Sequence, residues 1–141
     1  MNPSKWLKAL GIWLLFAVAA PLNGGLRDFV VAPLWGEGVA LPLSGVLLAV
    51  IIGWVTFLLL PHIGQISPAD AWRIGGVWLA LMLGFELGLG MLLLDQSLAE
   101  VMTVFDVTRG NLYVLALLTV LLAPRLSLMG RRRMGRDAGR F

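Results

Sequence analysis

Hydrophobic residues run through this chain in four long blocks, and the polar residues gather between them. The blocks cover residues 6–31, 42–60, 68–94 and 109–129, with their most apolar portions at 6–22, 42–60, 74–94 and 112–129. At 1.5 Å per residue, each matches the roughly 30 Å of hydrocarbon in a bilayer. No water satisfies backbone groups in that layer, so each block is expected to be a helix. The pattern predicts an all-α integral membrane protein, a four-transmembrane-helix bundle over residues 1–130 with a basic tail over 131–141.

Local signals sharpen the boundaries. Ser67-Pro68-Ala69-Asp70 places a capping Ser, a Pro at the first helical position and an acid at the positive helix end, which starts the third helix. In the loop before the fourth helix, Ser97-Leu98-Ala99-Glu100 matches a capping box. Leu98, Val101, Met102 and Phe105 recur at helical spacing, so a short interfacial helix is expected there. The loop after the first helix, residues 29–35, is apolar and expected to dip into the interface. Pro33 and Gly36-Glu37-Gly38 argue against regular helix throughout it. Pro124 is expected to kink the last turns of the fourth helix.

Charge then orients the bundle. Lys5, Lys8, Arg125, Arg131, Arg132, Arg133, Arg136 and Arg140 lie at the two termini and make up most of the 11 basic residues. The intervening loops on the other side mix Arg27 and Arg109 with Asp28, Glu37, Asp95, Glu100 and Asp106. An even number of spans puts both termini on one side, and the basic bias makes that side cytoplasmic. The basic start and first apolar run also resemble a signal peptide. Ala17, Ala19 and Ala20 leave cleavage open, but Pro21, Asn23 and Gly24 depart from a cleavage pattern, so a retained helix is expected.

Composition agrees with this class. The chain is 59% apolar and 13% charged, with mean hydropathy +0.88, whereas soluble domains carry roughly 25% charged residues. The absence of cysteine excludes disulfides, thiolate metal sites and thiol redox chemistry. Arg131, Arg132, Arg133 and Arg136 suit anionic lipid headgroups at the cytoplasmic face and not nucleic acid, because no aromatic residues are interleaved with them.

Few residues at membrane depth could carry chemistry. Glu86 lies eight residues before the end of the third block, roughly 12 Å inside it, where a carboxylate must find a partner, water or a proton. Asn23 and Arg27 are four apart and share a face if the first helix continues through Gly24-Gly25. Arg27 would then lie at a depth where Glu86 can meet it. With Asp106 and Arg109 these form an expected polar cluster at the outer leaflet, either structural or a proton, ion or substrate site. Gly76, Ala80, Gly84 and Gly88 form a small-residue stripe on the third helix that admits a close neighbour, with a helix of the same chain favoured. Glu86 faces roughly the other side, which would make this helix central. His62 is the only histidine and has no second ligand nearby, so an interfacial structural role is expected and no cofactor or metal. The six Trp residues read mostly as an aromatic belt.

Asn23-Gly24-x-x-Arg27-Asp28, Phe85-Glu86-x-Gly88-x-Gly90 and Arg109-Gly110 together resemble a group of uncharacterised small bacterial four-helix inner-membrane proteins. That group carries N-G-x-x-R-E after helix one and F-E-x-G-x-G in helix three. This chain departs from the pattern at Asp28, at Phe105 in place of Tyr, and at Gln96-Ser97-Leu98 in place of a Ser-Trp pair. The resemblance implies a multi-pass protein of a bacterial inner membrane and no activity.

No nucleophile–base pair, phosphate-binding glycine loop or paired-carboxylate motif is present, so an enzyme is the least supported class. The preferred reading is a non-catalytic interaction or accessory subunit with a structural polar cluster, partnered by the bilayer and by other membrane subunits or itself. The alternative is a small homo-oligomeric transporter or channel using Glu86 and Arg27 as a proton, ion or substrate site.

Overall fold

A computed structural model of the chain describes residues 2–103 and 112–138, with the backbone alone for 131–138. All regular structure among the described residues is helical. The long helices are α1 (Pro3–Leu26), α3 (Glu37–Leu59), α4 (Pro68–Gly88) and α6 (Tyr113–Ala138). Short helices α2 (Ala32–Trp35) and α5 (Leu98–Met102) lie between them. Four rods, Pro3–Trp35, Glu37–Ile63, Pro68–Leu93 and Tyr113–Gly130, are long and apolar enough to cross a membrane, which makes this a multi-pass membrane protein by length and composition.

Helix starts obey the capping chemistry. Asn2 accepts a hydrogen bond from the Lys5 backbone amide at 2.9 Å, and Pro3 opens α1. At α4, Ser67 Oγ accepts from the Asp70 amide at 3.1 Å while Asp70 Oδ2 accepts from the Ser67 amide at 3.3 Å. These exchanges satisfy amides that a helix N-terminus leaves orphaned. At α5 only the Ser97 half of the expected box forms, with Ser97 Oγ accepting from the Glu100 amide at 3.2 Å.

The first connection differs from expectation. Helix runs without interruption from α1 through a π-helical segment, Arg27–Val31, into α2, so residues 29–35 are helical throughout. Pro33 directly follows the widened turn, where the Ala32 amide reaches five residues back to the Arg27 carbonyl. Gly36 alone leaves the helix, at φ +83° and ψ 161°, a conformation open essentially to glycine. Glu37 then starts α3, its charge favoured by the positive helix end. At the other end of the chain, α6 passes through Pro124 unbroken and continues to Ala138, so the Arg-rich segment extends the fourth helix.

Packing centres on α6, which lies most extensively against α3 and α4, with α1 against α3. The buried core contains Phe16, Ile52, Ile74, Trp78, Met82 and Val120. Trp78 joins α4 to α1: its indole meets Phe16 edge-on at 5.1 Å, and its Nε1–H donates to the Ala9 carbonyl at 2.9 Å. Many large apolar side chains point outward instead, Leu92 being 82% exposed and Leu22 69%. A bilayer-embedded bundle tolerates that distribution because lipid, not water, meets those faces.

Between helices the close approaches are made by glycine. A Cβ on Gly75 would collide with the Leu121 backbone carbonyl of α6, and one on Gly45 with Leu112. The stripe of Gly76, Ala80, Gly84 and Gly88, expected against a helix of this chain, faces elsewhere. Gly76, Ala80 and Gly84 are exposed, and no described atom comes within 4 Å of a Cβ built on Gly76, Gly84 or Gly88. The third span still meets neighbours on two sides, α6 and α1, but through other residues than this stripe.

These two neighbouring glycines give a direct test. Gly75→Ala should destabilise the protein by about 1–3 kcal/mol, the usual cost of overpacking a close contact. Gly76→Ala should be neutral or slightly stabilising, since the added methyl meets open space and alanine is the better helix former. Thermal unfolding of both variants in detergent checks the contrast.

Candidate functional site: a polar cavity between α1 and α4

The sequence places α1 and α4 in contact over one half of their length and apart over the other. Phe16, Trp78 and the edge-on pair Trp13–Phe85, with ring centres 6.1 Å apart, hold them together. Past Phe85 a cavity of about 490 Å³ opens, with α3 and the start of α6 contributing Ser44, Gly45 and Tyr113 to its wall. Both π-helical segments line it: Arg27, Asp28 and Phe29 come from one, Leu89 and Gly90 from the other, Leu89–Leu93. Such widened turns re-aim the side chains beyond them and are frequent at functional sites.

Asn23 is 8% exposed and anchors the α1 wall. Its Nδ2 donates to the Ser44 backbone carbonyl and to Ser44 Oγ, both at 2.9 Å. Since a carbonyl can only accept, the amide orientation is set. Asn23 Oδ1 is thereby turned away from Ser44, buried and without a donor from the described residues.

Arg27 lies one helical turn on, as α1 does continue through Gly24-Gly25. Its guanidinium folds back to within 3.7 Å of where Gly24 would carry a Cβ. Its ion pair is with Asp28, Nε to Oδ1 at 3.0 Å. Glu86, half-buried on α4, has the Tyr113 hydroxyl near it and the Arg27 charge farther off, and forms no ion pair among the described residues. Gln96 completes the rim, its backbone N–H donating to the Gly90 carbonyl at 2.9 Å. Val101 of α5, 2% exposed, packs over Gly90 and holds this short helix to the bundle, while Leu98 and Met102 face outward.

The structure thus brings Asn23, Arg27 and Glu86 to one cavity. Asp106 and Arg109 lie outside the described residues, as do Phe105, Gly110 and the side chains of Arg131, Arg132, Arg133 and Arg136. His62 is exposed in a 3₁₀ turn, Leu60–Ile63, away from the cavity lining. Two lining residues escaped the sequence reading. Tyr113 is the chain's only tyrosine and opens the fourth helix, and Ser44 is the hydroxyl residue in the first half of α3; each offered a polar group at the right end of its span.

No protein-family model matches the chain, and neither does any curated protein sequence or solved structure. The cavity's chemistry therefore carries the functional reading.

A double-mutant cycle separates the two candidate partners of Glu86. Glu86→Gln with Tyr113→Phe should show a coupling of about 1–2 kcal/mol in thermal or denaturant unfolding, the upper range for hydrogen bonds between membrane helices. The cycle of Glu86→Gln with Arg27→Gln should show a smaller one. A larger coupling to Arg27 would make the guanidinium the true partner.

Proposed function

We propose that this chain sits in a bacterial inner membrane with both termini in the cytoplasm. There it binds a small polar ligand in the cavity between α1 and α4, as a binding or transport unit. The observation that carries this reading is the meeting of Asn23, Arg27 and Glu86 at one cavity inside segments otherwise suited to hydrocarbon. Ionisable residues at such depth are costly and mark ligand, ion or proton paths. The volume falls within the roughly 300–1,000 Å³ of small-molecule sites. Four helices close on a packed core, so passage across the bilayer needs at least a second copy. Lys5 and Lys8 at the start of the chain, with the Arg-rich end, support the cytoplasmic placement of both termini. Arg131, Arg132, Arg133 and Arg136 would then meet anionic headgroups, each contributing about 1 kcal/mol. Leu98 and Met102 of α5 would rest at the opposite membrane surface.

A second reading, a non-catalytic interaction or accessory subunit, has its own support. The outward stripe of Gly76, Ala80 and Gly84 leaves α4 open to a foreign helix. An apolar groove of about 440 Å³ between α3 and α6, lined by Gly53, Phe57 and Leu122 among others, offers another seat.

Native mass spectrometry from mild detergent decides between the two. A retained small molecule that is lost in Glu86→Gln supports the cavity reading. A stoichiometric protein partner lost in Ala80→Leu, with the cavity variant unaffected, supports the accessory reading. Orientation is tested separately: reporter fusions after Arg140 or within 62–70 should report cytoplasm, and fusions within 101–107 the outside. A periplasmic C-terminus would overturn the charge-based orientation.

A further inference from the structure

The cavity's hydrogen-bonding groups are unequally committed, and that imbalance specifies a ligand class. The Asn23 amide spends both its donors on Ser44, leaving the buried Oδ1 as an unused acceptor. The Tyr113 hydroxyl is engaged with Glu86. Arg27 and Asp28 neutralise each other at 3.0 Å. Glu86 is left as the lining carboxylate with no ion pair among the described residues. These donors and the Arg27 charge are matched within the protein, and what remains is a carboxylate.

Resting on the small-ligand reading above, we infer that the cavity takes a primary ammonium group, held by the Glu86 carboxylate. An ammonium is the complement of that group, because it carries three N–H donors, a positive charge and no acceptor. A carboxylate or phosphate would face Glu86 with like charge and would have to take Arg27 from Asp28 first. The volume of about 490 Å³ exceeds what a bare monovalent cation needs, and Leu48, Leu89 and Leu94 supply apolar wall for carbon attached to the amine. The ligand is thus an organic amine with a short apolar portion, either a free amine or the ammonium of an aminolipid headgroup.

The test uses the full chain, delipidated in detergent, with n-butylamine, butyltrimethylammonium, n-butanol and butyrate as probes and calorimetric titration as the readout. Saturable binding of butylamine is expected, at least about tenfold tighter than the other three, because a hydrogen bond to a charged group is worth roughly 1.5–3 kcal/mol. Glu86→Gln should lose at least about tenfold in butylamine affinity, while Arg73→Gln, at an exposed residue outside the cavity lining, should keep it. The probe comparison needs no variant, so it holds even if Glu86→Gln fails to fold. Equal binding of butyltrimethylammonium would overturn the N–H donor requirement and with it the assignment. Preference for butyrate, lost in Arg27→Gln, would also overturn the inference while leaving the small-ligand reading intact; binding of none of the four overturns the inference too. In nanodiscs, weaker apparent butylamine binding with phosphatidylethanolamine than with phosphatidylcholine alone would assign the aminolipid as occupant. Equal binding would assign the free amine, and both results require the ammonium site.

Discussion

The fold depends on how closely α6 can approach α3 and α4. In a bilayer, burying an apolar side chain between helices gains little over leaving it in lipid, so association has to come from tight van der Waals packing and hydrogen bonds. Gly75 and Gly45 provide the tight packing: each removes the one atom that would hold α6 away, and at Gly75 that atom would strike main chain, which cannot rotate aside. Phe16, Trp78, Ile52 and Val120 then fill the space this approach leaves. The many outward leucines and valines fit a lipid surface and do not drive assembly.

Among the described residues, hydrogen bonds between the long helices occur in both halves of the bundle. Trp78 Nε1–H to the Ala9 carbonyl ties α4 to α1 in the half where aromatic rings meet, and Asn23 to Ser44 ties α1 to α3 in the half where they do not. Each side chain reaches a backbone carbonyl already engaged in a helix, using its second lone pair, so no helical bond is sacrificed. At Asn23 the bond that secures α1 also fixes the orientation of the amide, with Oδ1 turned away from Ser44.

The four spans were legible because hydrocarbon thickness imposes a length on any apolar run, and length survives uncertainty about every individual residue. The Ser67 cap was legible for a similar reason, since its hydrogen bonds are local. What failed were the choices that depend on a neighbour. Gly75 and Gly76 are adjacent, and sequence spacing favours Gly76 because Ala80, Gly84 and Gly88 extend its stripe. The position of α6 selects Gly75 instead. Pro33 and Gly38 look like helix breakers, yet Pro33 directly follows the π-helical turn and Gly38 falls in the first turn of α3. The site was half legible. Asn23, Arg27 and Glu86 stood out as polar groups at depth, but their partners did not: Arg27 took its sequence neighbour Asp28, and Glu86 took a tyrosine distant in sequence.

The cavity exists because the two walls are irregular in the same place. An ideal α1 and an ideal α4, once joined at Phe16 and Trp78, would present a uniform rod on each side. A π-helical turn in each rod, Arg27–Val31 and Leu89–Leu93, adds a residue to the turn and redirects the next stretch of chain. At the second of these, Gly90 is left bare enough for Val101 to seat α5, which caps that wall. At the first, Arg27 turns back over Gly24 toward Asp28, so its charge is matched locally and does not need Glu86. Two independent departures from ideal helix, each lining the same space, weigh against an accident of packing. Conformations rarer than the α-helix persist only where the surroundings hold them, and here those surroundings include Glu86, a carboxylate deep in a span.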